Sequence, residues 1–243
     1  MQTIHPQPQS FDRPINWAAL IESVLLGGAA VVLLTKALRG VLTFYIHPRY
    51  TPLIIVCSTV LLLIAGIRAR MIFGHVPESL SGKEWRYLLL AVPLLLGTLV
   101  PARPLGANAL ANTTDVGGAL TASAPTDGNT EQWNLLQWAT ALSVRGDDLN
   151  GKAADVVGFA YHDPARPLDG FFVVRYVIIC CTADSNGVNL PVVWKGGAAL
   201  PTDTWVRVRG VLGTNTIDGK TGPALLASSV EPVPQPTNPY LYP

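Results

Sequence analysis

Two adjacent cysteines, Cys180 and Cys181, are the residues whose type and spacing could do chemistry here. Thiolates suit soft ions such as Zn or Cu(I), and Asp184 offers a carboxylate three residues further on. His162, in the segment before, could add an imidazole. Three readings stand side by side. In the first, one cysteine is a buried structural residue and the other is incidental. In the second, Cys180, Cys181, Asp184 and His162 hold a metal ion. In the third, the pair is a redox-active dithiol, since a disulfide between chain neighbours is strained and easily reduced. Neighbours on a regular strand point to opposite faces. Both thiols therefore share one site only where a strand ends or bulges. The turn-forming run TADSNG after them favours a strand end.

No nucleophile–base pattern accompanies the cysteines. GxSxG, Walker, GxGxxG and HExxH motifs are all missing from the sequence. His5 and His75 read as loop residues, and His47, in YIHPRY, as an interfacial loop residue. The expectation is a binding or structural protein and not an enzyme.

The elements that must position the cysteines read as strands. Candidate strands cover 152–161, 171–181, 188–196, 204–214 and 224–234. In the fourth, Val206 and Val208 alternate with Arg207 and Arg209, which is the pattern of a half-buried strand. Gly158 and Gly210 sit inside strands, where bulges and barrel bends fall. Five short strands with glycine kinks predict an all-β domain over 131–235, a small OB-like five-stranded barrel. A short helix over 131–144 leads into it. The tail 236–243 closes a proline-rich run and is expected to be extended, with Tyr240 and Tyr242 packing on the barrel.

The other half of the chain differs in kind. Hydrophobic residues make up 49% of the 243 residues and charged residues 14%, below the ~25% of soluble domains. The excess is concentrated. Residues 1–111 hold nine Lys and Arg against four Asp and Glu, and residues 112–243 hold eight against twelve. The near-neutral total is thus a basic half cancelled by an acidic one. An acidic barrel is a poor partner for nucleic acid. Charge-poor runs predict three transmembrane helices at about 17–38, 50–67 and 86–102, within a membrane region 14–104 that follows a tail, 1–13. Trp17, Tyr45, Tyr50, Trp85 and Tyr87 sit near the run ends, as interfacial aromatics do. The stretch 105–130 is rich in small residues and lacks Lys and Arg, the composition of a flexible linker. Glu22 is the one acidic residue in a span, placed near its end and able to snorkel, with a transport role as the alternative. Five basic residues against four favour a cytoplasmic N-terminus and an extracytoplasmic C-terminal domain in a multi-pass plasma-membrane protein.

Several stretches together carry a resemblance. They are YIHPRYTPLIIVCSTVLLLIAGI, PLLLGTLVPARPLGANAL, FFVVRYVIICCTADSNGVNLPVVW, TWVRVRGVLG and PTNPYLYP. In this order the chain resembles a bacterial family of three-span membrane proteins described as subunits of a two-component permease. Their C-terminal domain has no assigned function and carries an R-x4-C-C-x-A-D motif, here Arg175, Cys180, Cys181, Ala183 and Asp184. The family's usual Ala-Asp-Ala is Ala183-Asp184-Ser185 in this chain. The resemblance implies an accessory role beside a separate polytopic permease. The expectation is a membrane-anchored subunit whose barrel presents a Cys-Cys-Asp site to a metal or metalloid ion, Zn or Cu above all, or to the partner. The alternative is a structural, assembly or thiol-redox protein whose barrel only mediates protein–protein contacts.

Overall fold

A computed structural model describes residues 15–73, 85–112, 128–217 and 219–243. The expected tail 1–13, part of the second basic loop and the middle of the expected linker lie outside the described residues. The chain divides into two compact units: Met1–Val41 with Arg49–Ala102, and Leu42–Pro48 with Arg103–Pro243.

The first unit holds α1 (Trp17–Leu38), α2 (Thr51–Arg70) and α3 (Trp85–Leu99). At 1.5 Å per residue, α1 reaches ~33 Å and α2 ~30 Å, about the thickness of a bilayer core. Both are long and apolar enough to cross a membrane. Helix α3 is shorter, ~22 Å, and has Pro93 inside it. The burial pattern inverts that of a soluble bundle. The positions buried in α1 and α2 are small: Ala18, Ala19, Ala30, Ser58 and Ala65. Large aliphatics such as Val24, Leu53 and Leu63 face outward, the last 64% exposed. A Cβ added at Gly27 would meet the Ala65 Cβ at 3.7 Å, so the two helices approach closely there. Close packing through small residues, with large ones turned out, is how helices associate where lipid and not water surrounds them. Glu22 joins the three helices. Its carboxylate pairs with Arg68 Nε at 3.2 Å and accepts a hydrogen bond from the Tyr87 hydroxyl at 3.3 Å.

The second unit is built on five strands: β1 (Ala153–Tyr161), β2 (Gly170–Val177), β3 (Asn186–Val193), β4 (Trp205–Ile217) and β5 (Lys220–Pro232). They pair in the order β1-β2-β3-β5-β4, and β4 returns to β1, closing a barrel. All pairings are antiparallel except β3 with β5. Helix α4 (Leu135–Arg145) begins with a capping box, in which Asn134 and Gln137 satisfy each other's backbone N–H groups. It sets Leu135, Leu136, Trp138 and Ala141 into the barrel core with Val156, Phe171, Val173, Leu190, Val206, Val208 and Leu225. Arg207 and Arg209 point outward, as their alternation implies, and both hold Asp155. The Arg207 hydrogen bonds, and more weakly those of Arg209, keep the Asp155 carboxyl below its usual range against the opposing effect of burial.

Strand β2 differs from a half-buried strand. Seven of its eight residues are buried. Its outer face is covered by a second apolar cluster of Phe159, Phe172, Val174, Tyr176 and Ile178 with Leu110 and Tyr240. Residues 105–110, expected to be flexible linker, are therefore packed. The Tyr176 hydroxyl donates to Gly106 O, Leu105 N–H donates to the Tyr240 hydroxyl, and Leu110 is buried. Small residues here lie flat on an aromatic face, and their composition resembles that of a tether. The C-terminal tail runs beside the end of β2, with Leu241 bonded to Tyr176 and Ile178 through backbone groups.

Gly158 lets β1 and β2 approach: a Cβ there would stand 2.6 Å from Val174 O and 2.8 Å from Val173 Cγ2. Gly210, at the β4–β5 register shift, is crowded by Leu226 O in the same way. Gly158→Ala in the full chain should destabilise the second unit by about 1–3 kcal/mol through overpacking. Loss of near-ultraviolet circular dichroism at a lower denaturant concentration than in the wild type would show it, and an unchanged midpoint would refute it.

Candidate functional site

Strand β2 ends at Val177, four residues before the expected end at 181. Ile178 is still buried, and Ile179 and Cys180 are exposed. The chain has run out of apolar residues to bury on two faces, so it turns. Residues Thr182–Asp184 form a single helical turn capped by Cys181. Asp184 folds back on the segment before it. Its Oδ1 accepts Ile179 N–H at 2.9 Å, and Oδ2 accepts Cys180 N–H at 2.8 Å and Cys181 N–H at 3.3 Å. This gathering removes the alternation of a strand and brings both thiols to one side. The Cys180 and Cys181 Sγ atoms are 3.6 Å apart. Ligand atoms of Cys180, Cys181 and Asp184 all lie within 4.8 Å of one another.

The electrostatics follow from this geometry. Burial works against ionisation of Asp184, but the Cys180 thiol and the three N–H donors outweigh it and hold the carboxyl down at about 2. Its native hydrogen bonds are thus complete above the ordinary carboxylate range and are lost as pH falls through about 2. The Cys180 thiol is pushed up to about 11, first by its hydrogen bond with Asp184 and then by that with Cys181. At neutral pH Cys180 is a protonated thiol. A metal ion binding there would have to displace the Cys180 proton.

The other expected site residues fall elsewhere. His162 lies just past β1, beside the start of β2, where Tyr161 pairs with Phe172. The cysteines lie past the opposite end of β2. Eight residues of strand separate the two places, ~26 Å at the usual rise. His162 is bonded to Leu200 O at 2.8 Å, and the expectation that it shares the cysteine site is corrected. Arg175 works as a clasp on the tail. It donates to Asn238 O at 2.6 Å and Pro239 O at 3.2 Å, with its guanidinium 5.7 Å from the Trp205 ring centre. Ala183 occupies the turn and brings no polar group. Glu22 belongs to the helical unit.

The structure adds a segment not expected at the site. Leu42–Pro48, from the connection between α1 and α2, folds with the second unit. Ile46 forms an antiparallel bridge with Cys181, flanked by His47 N–H to Cys180 O and Thr182 N–H to Tyr45 O, both 2.9 Å. Tyr240 donates its hydroxyl to Phe44 O at 3.1 Å. One signal was present in the sequence: a residue before proline is held extended, so His47-Pro48 is ready to pair as a strand.

Residues 123–243 match the family model of the DUF1980 C-terminal domain. Over 270 aligned positions the chain is 24% identical to a Streptococcus mutans protein (serotype c, strain ATCC 700610 / UA159). That protein is named "Putative two-component membrane permease complex subunit". The match covers 92% of this chain and 99% of that protein. Over 105 positions it is 28% identical to the UPF0703 protein YcgQ of Bacillus subtilis (strain 168), covering 42% of this chain and 36% of YcgQ. No solved structure matches the chain. The family resemblance carried by the motifs is thus shown, and the cysteine pair lies within the residues that match the DUF1980 C-terminal domain.

The raised thiol has a direct consequence. Alkylation of Cys180 by iodoacetamide should accelerate about tenfold per pH unit between about pH 8 and pH 10, because the thiolate is the nucleophile. Asp184→Asn removes the neighbouring anion and should shift that profile to lower pH. A profile that levels off near the ordinary thiol range in the wild type would contradict the geometry.

Proposed function

We propose that this chain is a membrane-anchored accessory subunit of a permease complex. Its β unit, an OB-like barrel, presents Cys180 and Cys181 to a soft metal or metalloid ion that it concentrates or hands over, with a polytopic permease in the plasma membrane as partner. The observation that carries the reading is two thiols 3.6 Å apart beside a carboxylate, on an exposed turn. Two thiolates about 2.3 Å from a tetrahedral ion such as Zn would stand about 3.8 Å apart. On opposite sides of an ion at that bond length they would stand about 4.6 Å apart. The spacing therefore favours a tetrahedral or pyramidal ion over a linear one. Asp184 supports the site by position, since both its oxygens already accept backbone N–H groups. Two protein thiolates fall short of the four ligands of a closed structural site, which suits an ion that must leave again. The name of the Streptococcus mutans relative supports the permease partner. No reaction is assigned.

Three membrane crossings and an extracytoplasmic β unit belong to the same proposal. Leu42–Pro48 and Arg103–Pro243 fold as one unit, so they lie on one side of the membrane. If α2 crosses, the chain must cross back before residue 103, and α3 is the segment available. Its ~22 Å helix is short for a bilayer core, and local thinning or flanking residues accommodate such a mismatch.

Two experiments test this reading. The full chain in detergent is titrated with Zn, Cu(I) and arsenite, and Cys180→Ser with Cys181→Ser should abolish binding; unchanged binding in the double variant would sink the ion site. For topology, intact cells carrying Cys57→Ala are treated with a membrane-impermeant maleimide at mildly alkaline pH. Cys180 and Cys181 should be labelled. Labelling only after the membrane is opened would place the barrel in the cytoplasm.

A further inference from the structure

We propose that the cavity between α4, β3 and the β4–β5 hairpin is a second binding site of the β unit, one that takes a small amphipathic organic acid. The acid's apolar body fills the cavity, a neutral oxygen at its inner end accepts the Trp138 indole N–H, and its carboxylate stays at the mouth beside Lys220. The site is independent of the ion site, since no residue lining the cavity belongs to the cysteine turn.

The barrel leaves this space because its closure is brief. Strands β3 and β5 pair at Val192 with Leu225 and at Val193 with Leu226, and nowhere else along their lengths. Ahead of those positions β3 and the β4–β5 hairpin stand apart, with Pro191 on one wall of the gap and Pro223 on the other. Proline settles at strand edges where no neighbour calls for an N–H, so at those two positions neither strand offers a donor that would zip the gap shut. Helix α4 forms the third wall. Leu135, Trp138 and Leu142 stand at i, i+3 and i+7, which is one face of a helix, and all three line the cavity. The space measures about 350 Å³, within the ~300–1,000 Å³ of small-molecule sites.

Two wall residues set what fits. Trp138 is wholly buried, and its Nε1–H has no hydrogen-bond partner among the described residues. Buried donors are nearly always bonded, because an unpaired one forfeits its water without return. A ligand oxygen supplies the missing acceptor. Trp133 packs edge-on against the indole, with ring centres 5.1 Å apart, which holds the donor in a fixed place. Leu135, Leu142 and Ile217 are apolar wall, matched by an apolar ligand body. The deep oxygen has to be neutral, since one N–H does not offset the removal of a carboxylate from water. The charged residues on the wall are Arg166 and Lys220, both cations. Arg166 is engaged with Asp163 at 2.7 Å, so the carboxylate falls to Lys220. Lys220 is exposed, and an exposed and a wholly buried residue on one cavity mark its mouth and its inner end. The charge thus remains hydrated at the mouth while the far end of the ligand is dry.

The test uses the full chain in nanodiscs, with empty nanodiscs as reference, and three probes titrated by ligand-observed NMR. 4-Methoxyphenylacetate carries both features, 4-ethylphenylacetate replaces the ether oxygen by a methylene, and 4-methoxyphenethyl alcohol lacks the charge. The wild type should bind the first saturably. It should bind the second about fivefold more weakly, the scale of one hydrogen bond. The third should bind about threefold more weakly and without dependence on salt, the scale of an exposed ion pair. Trp138→Phe should bring the two acids to equal affinity, and Lys220→Gln should bring the methoxy acid and the alcohol together. Where Trp138→Phe fails to fold, the comparison of the two acids on the wild type reads the same hydrogen bond. Absence of saturable binding of the methoxy acid overturns the site. An ethyl analogue bound as tightly as the methoxy acid overturns the Trp138 contact, and an alcohol bound as tightly overturns the acid. Replacing both Cys180 and Cys181 by Ser should leave all three affinities unchanged. Loss of binding in that variant places the ligand at the cysteine turn and overturns the proposal, whereas the ion titration stands or falls on its own.

Discussion

Strand β2 is apolar on both faces, and burying both of them organises the second unit. The inner face, Phe171, Val173 and Val177, is met by the barrel core and by α4. The outer face, Phe172, Val174 and Tyr176, meets no second sheet among the described residues. Irregular chain covers it instead: residues 105–110 from one direction and the tail around Tyr240 from the other. Both covering segments keep their backbone groups satisfied by bonding to β2 or to tyrosine hydroxyls, as buried chain must. The hydrophobic effect thus draws in two pieces of sequence that, judged by their own composition, look like linker and loose end.

The same constraint positions the site. The strand can continue only while it has apolar side chains for two faces, and it stops after Ile178. The next residues turn outward, and Asp184 fastens the turn by accepting three N–H groups. Three charge-assisted hydrogen bonds to one carboxylate make a firm local structure on an otherwise exposed segment. Their cost falls on Cys180, whose thiolate would face that carboxylate at close range. The turn is therefore preorganised in geometry, with the Cys180 thiol held protonated beside the Asp184 carboxylate.

Much of the architecture was legible in the sequence. The lack of charge over long apolar runs marked α1 and α2, because a spanning helix must be apolar over its whole length. Alternation marked β4, because a half-buried strand repeats every two residues. Gly158 and Gly210 marked places where strands come too close for a Cβ. The cysteine pair and Asp184 were legible as ligand types, and the TADSNG turn signalled that they would converge. His162 was misplaced because proximity in sequence says nothing about which end of an antiparallel strand a loop occupies. The pairing of residues 45–47 with the cysteine turn was not foreseen because nothing in YIHPRY by itself reports a partner more than a hundred residues away.

The sequence by itself determined the kind of each segment: two long apolar helices and a shorter one, a β-rich acidic half, and a dithiol on a strand end. Those properties are local, set by periodicity, charge and turn-forming residues. Tertiary structure decided which distant segments meet. The connection after α1 lies against the cysteine turn, the start of the linker lies on β2, and Arg175 holds the tail through backbone carbonyls. These contacts are made largely through backbone groups, which every residue carries alike. No pattern of side-chain types along the chain encodes them, and they arise only when burial of β2 brings the segments together.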